Sequence, residues 1–202
     1  MRRHWTEALE MLDACITAVE WAKAHPTLAE AWDACDRPDW MLWLISALQI
    51  QADREYRLFA CWCVRRVWYL LSARKSKDAV KVAERYCEGK VTENELHEAC
   101  IAAFAVKRGD VEMNAMFYAR NAAWYTAFFD AEIAAYRASI FTINAIVAEY
   151  YEKRGEDHPL DAFYLPPCLS ERKAHADKLR EMFADRFPEI ERKFQEVIPR
   201  TE

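Results

Sequence analysis

Trp32–Trp68, WDACDRPDWMLWLISALQIQADREYRLFACWCVRRVW, is the stretch whose reading decides the fold. It carries five of the eight tryptophans on two predicted helices joined by a short charged turn. Rings that large need neighbouring segments to cover them, so the stretch predicts the centre of a helical core. Pro38 suits a first helical position, where its missing N–H costs nothing, and Asp39 in the first turn meets the positive end of the helix dipole. From Trp40 to about Gln49 the chain is apolar nearly all round, which predicts a central buried helix too short to cross a bilayer.

The second half, read as a helix over Asp53 to Ser72, has two faces. Tyr56, Phe59, Ala60, Cys63, Val67 and Leu70 form one stripe; Arg54, Arg57, Cys61, Arg65 and Trp68 line up opposite. Arg54, Arg57, Arg65 and Trp68 are the candidate partner-binding residues, because Arg and Trp concentrate at interface hot spots. The competing and commoner arrangement pairs these arginines internally with carboxylates and stacks them on Trp68.

Working outward, Trp5, Leu9, Leu12, Ile16 and Val19 recur at helical spacing and predict one helix from Thr6 to His25–Pro26. A short helix over Leu28 to Cys35 follows. Ser76 is the expected cap of a helix running to Glu88, with Gly89 as its left-handed stop. Thr92-Glu93-Asn94-Glu95 is a capping box opening a helix that ends at Arg108–Gly109. Asp110 to Arg154 contains neither Gly nor Pro, so it is one long helix or two with a break near Asp130. Its expected apolar stripe is Met113, Met116, Phe117, Trp124, Phe128, Ala131, Ala135, Ala138, Thr142 and Ala145, with alanines that permit close helix approach. Gly155 to Pro167 reads as an extended loop wrapping through Leu160, Phe163, Tyr164 and Leu165. Ser170 then caps a final helix with Ala176, Leu179, Met182 and Phe183 inward, and a last turn starts at Pro188. No strand alternation and no fixed-period repeat occurs. The expected fold is all-α: a single domain over 1–202, a multi-helix bundle with one or two long helices rich in alanine and aromatic residues.

Composition supports this and narrows the function. Hydrophobic residues at 53% supply a core, and only 3 glycines serve as punctuation. A formal net charge of −5 argues against generic nucleic-acid binding, which needs a basic surface to displace counterions. Cys15, Cys35, Cys61, Cys63, Cys87, Cys100 and Cys168 are odd in number and lie in apolar helical patterns, so reduced, buried thiols are expected. Trp5 to His25 has charges throughout rather than a signal-peptide core, and no apolar run suits a membrane span; a cytoplasmic protein is expected.

Most chemistry fails at the level of pattern. Gly89, Gly109 and Gly155 are isolated and form no phosphate loop. The Glu-x-x-His pairs of di-iron bundles are missing, as are H-E-x-x-H and C-x-x-C, so neither a metal nor another cofactor is expected. His97 and Cys100, one helical turn apart, are the one conceivable metal or nucleophile pair, although packing of Cys100 beside Ile101 and Phe104 explains them as well. Cys61 and Cys63 point about 200° apart on a helix and cannot both chelate. Carboxylates pair at Asp36 and Asp39, Glu149 and Glu152, and Glu156 and Asp157, the first explained by capping. A candidate interior pocket surrounds Arg120, Trp124 and Tyr125, and would make the bundle a small-molecule-binding protein or an enzyme.

Trp32, Cys35, Arg37, Asp39, Trp40, Leu42 and Trp43 spell W-x-x-C-x-R-x-D-W-x-L-W, and in this the chain resembles immunity proteins associated with bacterial polymorphic toxin systems. Arg57 to Trp68, Ala79 to Gly89 and Leu179 to Phe183 resemble helical proteins common in planctomycete and verrucomicrobial genomes. The resemblance implies an all-helical, non-enzymatic protein that binds and neutralises a bacterial toxin, and it carries over no catalytic residue. The aromatic segment from Phe117 to Tyr151 replaces the more alanine-rich helices of that group. A phage or mobile-element inhibitor of a defence effector, such as an anti-CRISPR protein, is the alternative partner relation, and homodimerisation through the aromatic surface is a further one.

Overall fold

The computed structural model describes residues 4–107, 113–156 and 166–197, and among these there is helix and no strand. The all-α expectation holds. The chain expected to form one domain divides into two compact units, Met1–Gln51 with Ala176–Glu202, and Ala52–His175.

In the first unit, α1 (Glu7–Met11) and α2 (Ile16–Ala22) replace the single helix expected from Thr6 to His25. Asp13 takes φ 62°, and the Ala14 N–H reaches back to the Leu9 carbonyl at 2.9 Å, closing α1 with a left-handed residue. Aspartate is among the few residues besides glycine that adopt this conformation readily, and the hydrophobic spacing continues across the break undisturbed. Thr27 caps α3 (Leu28–Ala34) by accepting the Glu30 N–H at 3.2 Å. The buried helix α4 (Pro38–Ala47) opens on Pro38 as expected and closes on Gln49 at φ 53°. Two cations finish these helices. Arg180 donates to the carbonyls of Trp32 and Cys35 at 2.9 and 2.7 Å, and Lys193 to those of Leu48 and Gln49 at 3.1 and 2.8 Å. Lys193 belongs to α11 (Phe187–Val197), where a last turn is expected from Pro188. Trp5, Trp21, Trp32, Trp40 and Trp43 border an apolar hollow of about 60 Å³, far below the size of an ordinary ligand pocket.

The second unit begins with α5 (Asp53–Arg66), which gives way at Val67 to a 3-10 turn over Trp68–Leu70 and does not run to Ser72. The next helix, α6 (Arg74–Cys87), starts ahead of its expected cap. Ser76 lies inside it, buried on the same face as Ala79, Val80 and Ala83, so packing rather than capping fixes its place. Gly89 ends α6 at φ 69°, as expected. The capping box before α7 (Glu93–Lys107) also forms: Thr92 Oγ1 accepts the Glu95 N–H at 3.3 Å, and Glu95 accepts the Thr92 N–H at 2.7 Å. The expected end of α7 at Arg108–Gly109 lies outside the described residues.

The segment without Gly or Pro contains two helices, α8 (Ala115–Thr126) and α9 (Ala131–Glu152), parted where Asp130 accepts the Ile133 N–H at 2.9 Å. Ala119, Ala122, Ala123, Ala134, Ala135 and Ala138 are all buried where α8 and α9 pack, and α9 also packs on α5. Met113 and Met116, expected in the apolar stripe, are 69% and 37% exposed; the buried face of α8 is made of alanines, Asn121 and Thr126 instead. The loop expected through Leu160, Phe163, Tyr164 and Leu165 lies outside the described residues. The last helix that reaches this unit, α10 (Pro166–Phe183), opens at Pro166 rather than at Ser170, since two prolines fit a first turn whose N–H groups need no helical acceptor. The division between units falls within α10, after His175.

Both ends of α8 are held by side chains of opposite charge. At its start Asn114 accepts the Phe117 N–H at 2.8 Å, and Glu152 accepts the Ala115 N–H at 2.6 Å. At its end Arg57 donates to the carbonyls of Thr126, Phe128 and Phe129 at 2.9, 2.7 and 3.3 Å. Each charge faces the helix pole of opposite sign. An Arg57→Met variant orphans these acceptors and should lose about 3 kcal/mol or more in urea unfolding. Arg65→Met, at an exposed ion pair, should lose less than about 1 kcal/mol.

Candidate functional site

The arginine stripe of α5 does not form one surface. Arg57 is only 4% exposed and is spent on the end of α8. Arg65 makes a two-pronged pair with Glu84 at 2.8 and 2.6 Å and lies 4.1 Å over the Trp68 ring. Arg54 donates to the Cys87 carbonyl at 3.2 Å, closing α6. Arg54, Arg65 and the half-buried Trp68 remain at the surface, whereas Arg57 cannot meet a partner protein there.

The rings expected to line a pocket pack on one another. Trp124 lies 4.3 Å from Tyr125, 5.2 Å from Phe104 and 5.5 Å from Phe128, centroid to centroid. Tyr125 stacks on Phe141 at 5.6 Å. Arg120 points to Ser72 Oγ at 3.2 Å and Met116 Sδ at 2.9 Å. This arrangement places ring against ring between α7, α8 and α9, where a ligand-sized space was expected.

The same rings run out to the surface. Phe104, Trp124, Phe128 and Phe129 follow one another in contact, the last pair 4.5 Å apart, and Phe129 is 76% exposed. Ile101 lies one turn before Phe104 on α7, and Ile133 and Tyr136 lie beyond Phe129 on α9; all three are exposed. Apolar groups gathered this way at a surface mark an interaction site. The sequence signal was Phe128–Phe129 directly before the helix-capping Asp130, which lifts the second ring off the buried stripe.

Phe129 also borders a polar cleft of about 210 Å³, lined by Arg57, Tyr86, Glu93, Asn94, Leu96, His97 and Ala127. The corner between α8 and α9 therefore has an aromatic surface and, beside it, a cleft with a cation in its wall.

A second polar group is buried and was not anticipated. His175 Nδ1 lies 2.8 Å from Ser139 Oγ, and its Nε2 lies 3.1 Å from Glu171, which a bidentate contact joins to Arg66. Burial would push the Glu171 carboxyl up, but hydrogen bonds from His175 and Arg66 outweigh it and hold the group at about 2. Burial pushes His175 down, against the pull of Glu171. A neutral imidazole with its proton on Nε2 satisfies both partners: it donates to the carboxylate and accepts from the serine hydroxyl. The set has the residue types of a hydrolytic triad, yet His175 is fully buried and Ser139 is 3% exposed, so no acyl group reaches the hydroxyl. Its effect is to fasten α5, α9 and α10.

The remaining thiol and carboxylate candidates are structural too. Burial pushes the thiols of Cys61 and Cys63 well up, and that of Cys100 up as well, which is the opposite of nucleophile activation. His97 is exposed on the cleft. Glu149 pairs with Lys153 at 2.8 Å and accepts from Tyr69 at 2.6 Å, while Glu152 is occupied at α8. Asp157 lies outside the described residues. Among the described residues no three His, Cys, Asp or Glu side chains gather to hold a metal ion, and no helix is long and apolar enough to cross a membrane.

Comparison with protein families, with curated proteins and with solved structures finds no match to this chain.

The buried pair sets a pH dependence. His175, lowered below 6.5, is more readily protonated in the unfolded chain, so stability is complete above pH 6.5 and falls as pH drops below it. Glu171, held at about 2 by its hydrogen bonds, adds a further loss as pH falls from 4.5 toward 2. Urea midpoints should decline from pH 7 to 5, and His175→Gln should flatten that decline. A wild-type midpoint unchanged over this interval would contradict the assignment.

Proposed function

We propose that this protein acts by binding another protein and neutralising or modulating it in bacterial conflict, without chemistry of its own. The succession Phe104–Trp124–Phe128–Phe129, half-buried in the middle and exposed at Phe104 and Phe129, with Ile101, Ile133 and Tyr136 exposed on the adjoining helices, is the observation that carries the reading. Rigid rings already packed against one another lose little conformational freedom when a partner covers them, which is why such clusters serve as interface anchors. The contact therefore moves from the arginine stripe to the corner of α8 and α9, with Arg54, Arg65 and Trp68 as a separate polar face. The toxin-system resemblance supports a toxin as the partner, in the manner of an immunity protein; a defence effector opposed from the phage side is the other relation of the same kind. The net charge of −5 supports a protein partner over nucleic acid.

The test is an affinity pull-down of the tagged protein from bacterial lysate, with and without phage infection, repeated with the double variant Phe129→Ser, Ile133→Ser. A stoichiometric toxin or effector should be retained by the wild type and reduced at least ~10-fold by the variant, with an unchanged far-UV spectrum. Retention by this variant and loss with Trp68→Ala would place the contact on the α5 face instead. Size-exclusion chromatography of the purified protein separates this reading from homodimerisation through the same rings.

A further inference from the structure

The guanidinium of Arg57 is poised for a ligand as well as for α8. Its bonds to the carbonyls of Thr126, Phe128 and Phe129 use both Nη1 hydrogens and one on Nη2. That leaves Nε–H and one Nη2–H without a protein acceptor among the described residues. No described carboxylate pairs with this arginine, although Arg65, Arg66, Arg180 and Arg186 each have one. A buried cation balanced by carbonyl dipoles at a helix end and by the Tyr86 ring 5.5 Å away, with no carboxylate, keeps charge to offer an anion, and here it borders a cleft of about 210 Å³.

We propose that this cleft binds a small organic monocarboxylate, with the carboxylate on the Nε–H and Nη2–H of Arg57 that the α8 carbonyls leave over. N–H groups held in one plane match the two oxygens of a carboxylate. The volume is below that of a drug-sized pocket yet well above the ~15 Å³ that one ordered water requires, which fits a carboxylate with a short carbon body. That body lies against Leu96 and Ala127 and the rings of Tyr86 and Phe129. Glu93 lines the same cleft, disfavouring a second negative group on the ligand and selecting a monoanion. This site stands independently of any protein partner.

Benzoate is the probe, followed by NMR titration of the full chain labelled with ¹⁵N. Saturable shifts are expected at the Arg57 Nε and at the amides of Asn94, His97 and Phe129. Benzamide, nearly the same shape without the charge, should bind at least ten-fold more weakly. Glu93→Gln should tighten benzoate by three-fold or more. Since Arg57→Met also destabilises the fold, the blocking variant is His97→Trp, made at an exposed helical position; it should abolish binding while leaving the spectrum elsewhere unchanged. Absence of saturable binding, equal affinity for benzamide, or full binding by His97→Trp would each overturn the proposal.

Discussion

Helix carboxyl ends here are closed by cations that arrive from other helices, and the architecture of each unit depends on it. A helix leaves its last carbonyls unpaired and carries about half a negative charge there. With 3 glycines in 202 residues, the chain has few left-handed glycine stops available. Arg180 closes α3, Lys193 closes α4, Arg54 closes α6 and Arg57 closes α8. The most deeply committed is Arg57, whose guanidinium fixes the turn from Thr126 to Phe129 and so the angle at which α9 leaves α8. Glu152 mirrors it at the other pole of α8.

Features set by residues close in the chain were legible in the sequence. Pro38 with Asp39, the Thr92–Glu95 box, Gly89 and the break at Asp130 all rest on contacts within about one helical turn, and all formed. The errors arose where distant packing decides. Ser76 reads as a cap until the apolar face of α6 claims it, and Asp13 reads as a helical position until its backbone turns left-handed. Arg57 reads as a surface arginine because its acceptors lie 69 to 72 residues away. The same distance hid the His175 group, whose members come from α5, α9 and α10 and carry no motif.

The candidate surface was partly legible for the same reason. Trp124 and Phe128 read as apolar and Arg57 as a surface residue, whereas the arginine is inside, those two rings are half-buried, and Phe129 beside them is exposed. The arginine and the exposed ring meet at one turn. Arg57 holds the carbonyls of Thr126, Phe128 and Phe129 while the Phe129 ring stands 76% exposed, and the same turn forms one wall of the cleft. An aromatic contact surface and a recess with a cation thus meet at one buried guanidinium.

The most direct test of this account is hydrogen exchange at the arginine side chains, read by ¹⁵N NMR at Nε and Nη of the unliganded protein. A guanidinium held on three carbonyls and 4% exposed should show separate Nη signals for Arg57 that exchange at least ~100-fold more slowly than those of Arg54. Arg57 signals that average and exchange as fast as those of Arg54 would mean that the guanidinium is solvated, and that the closure of α8 and the cleft have another cause.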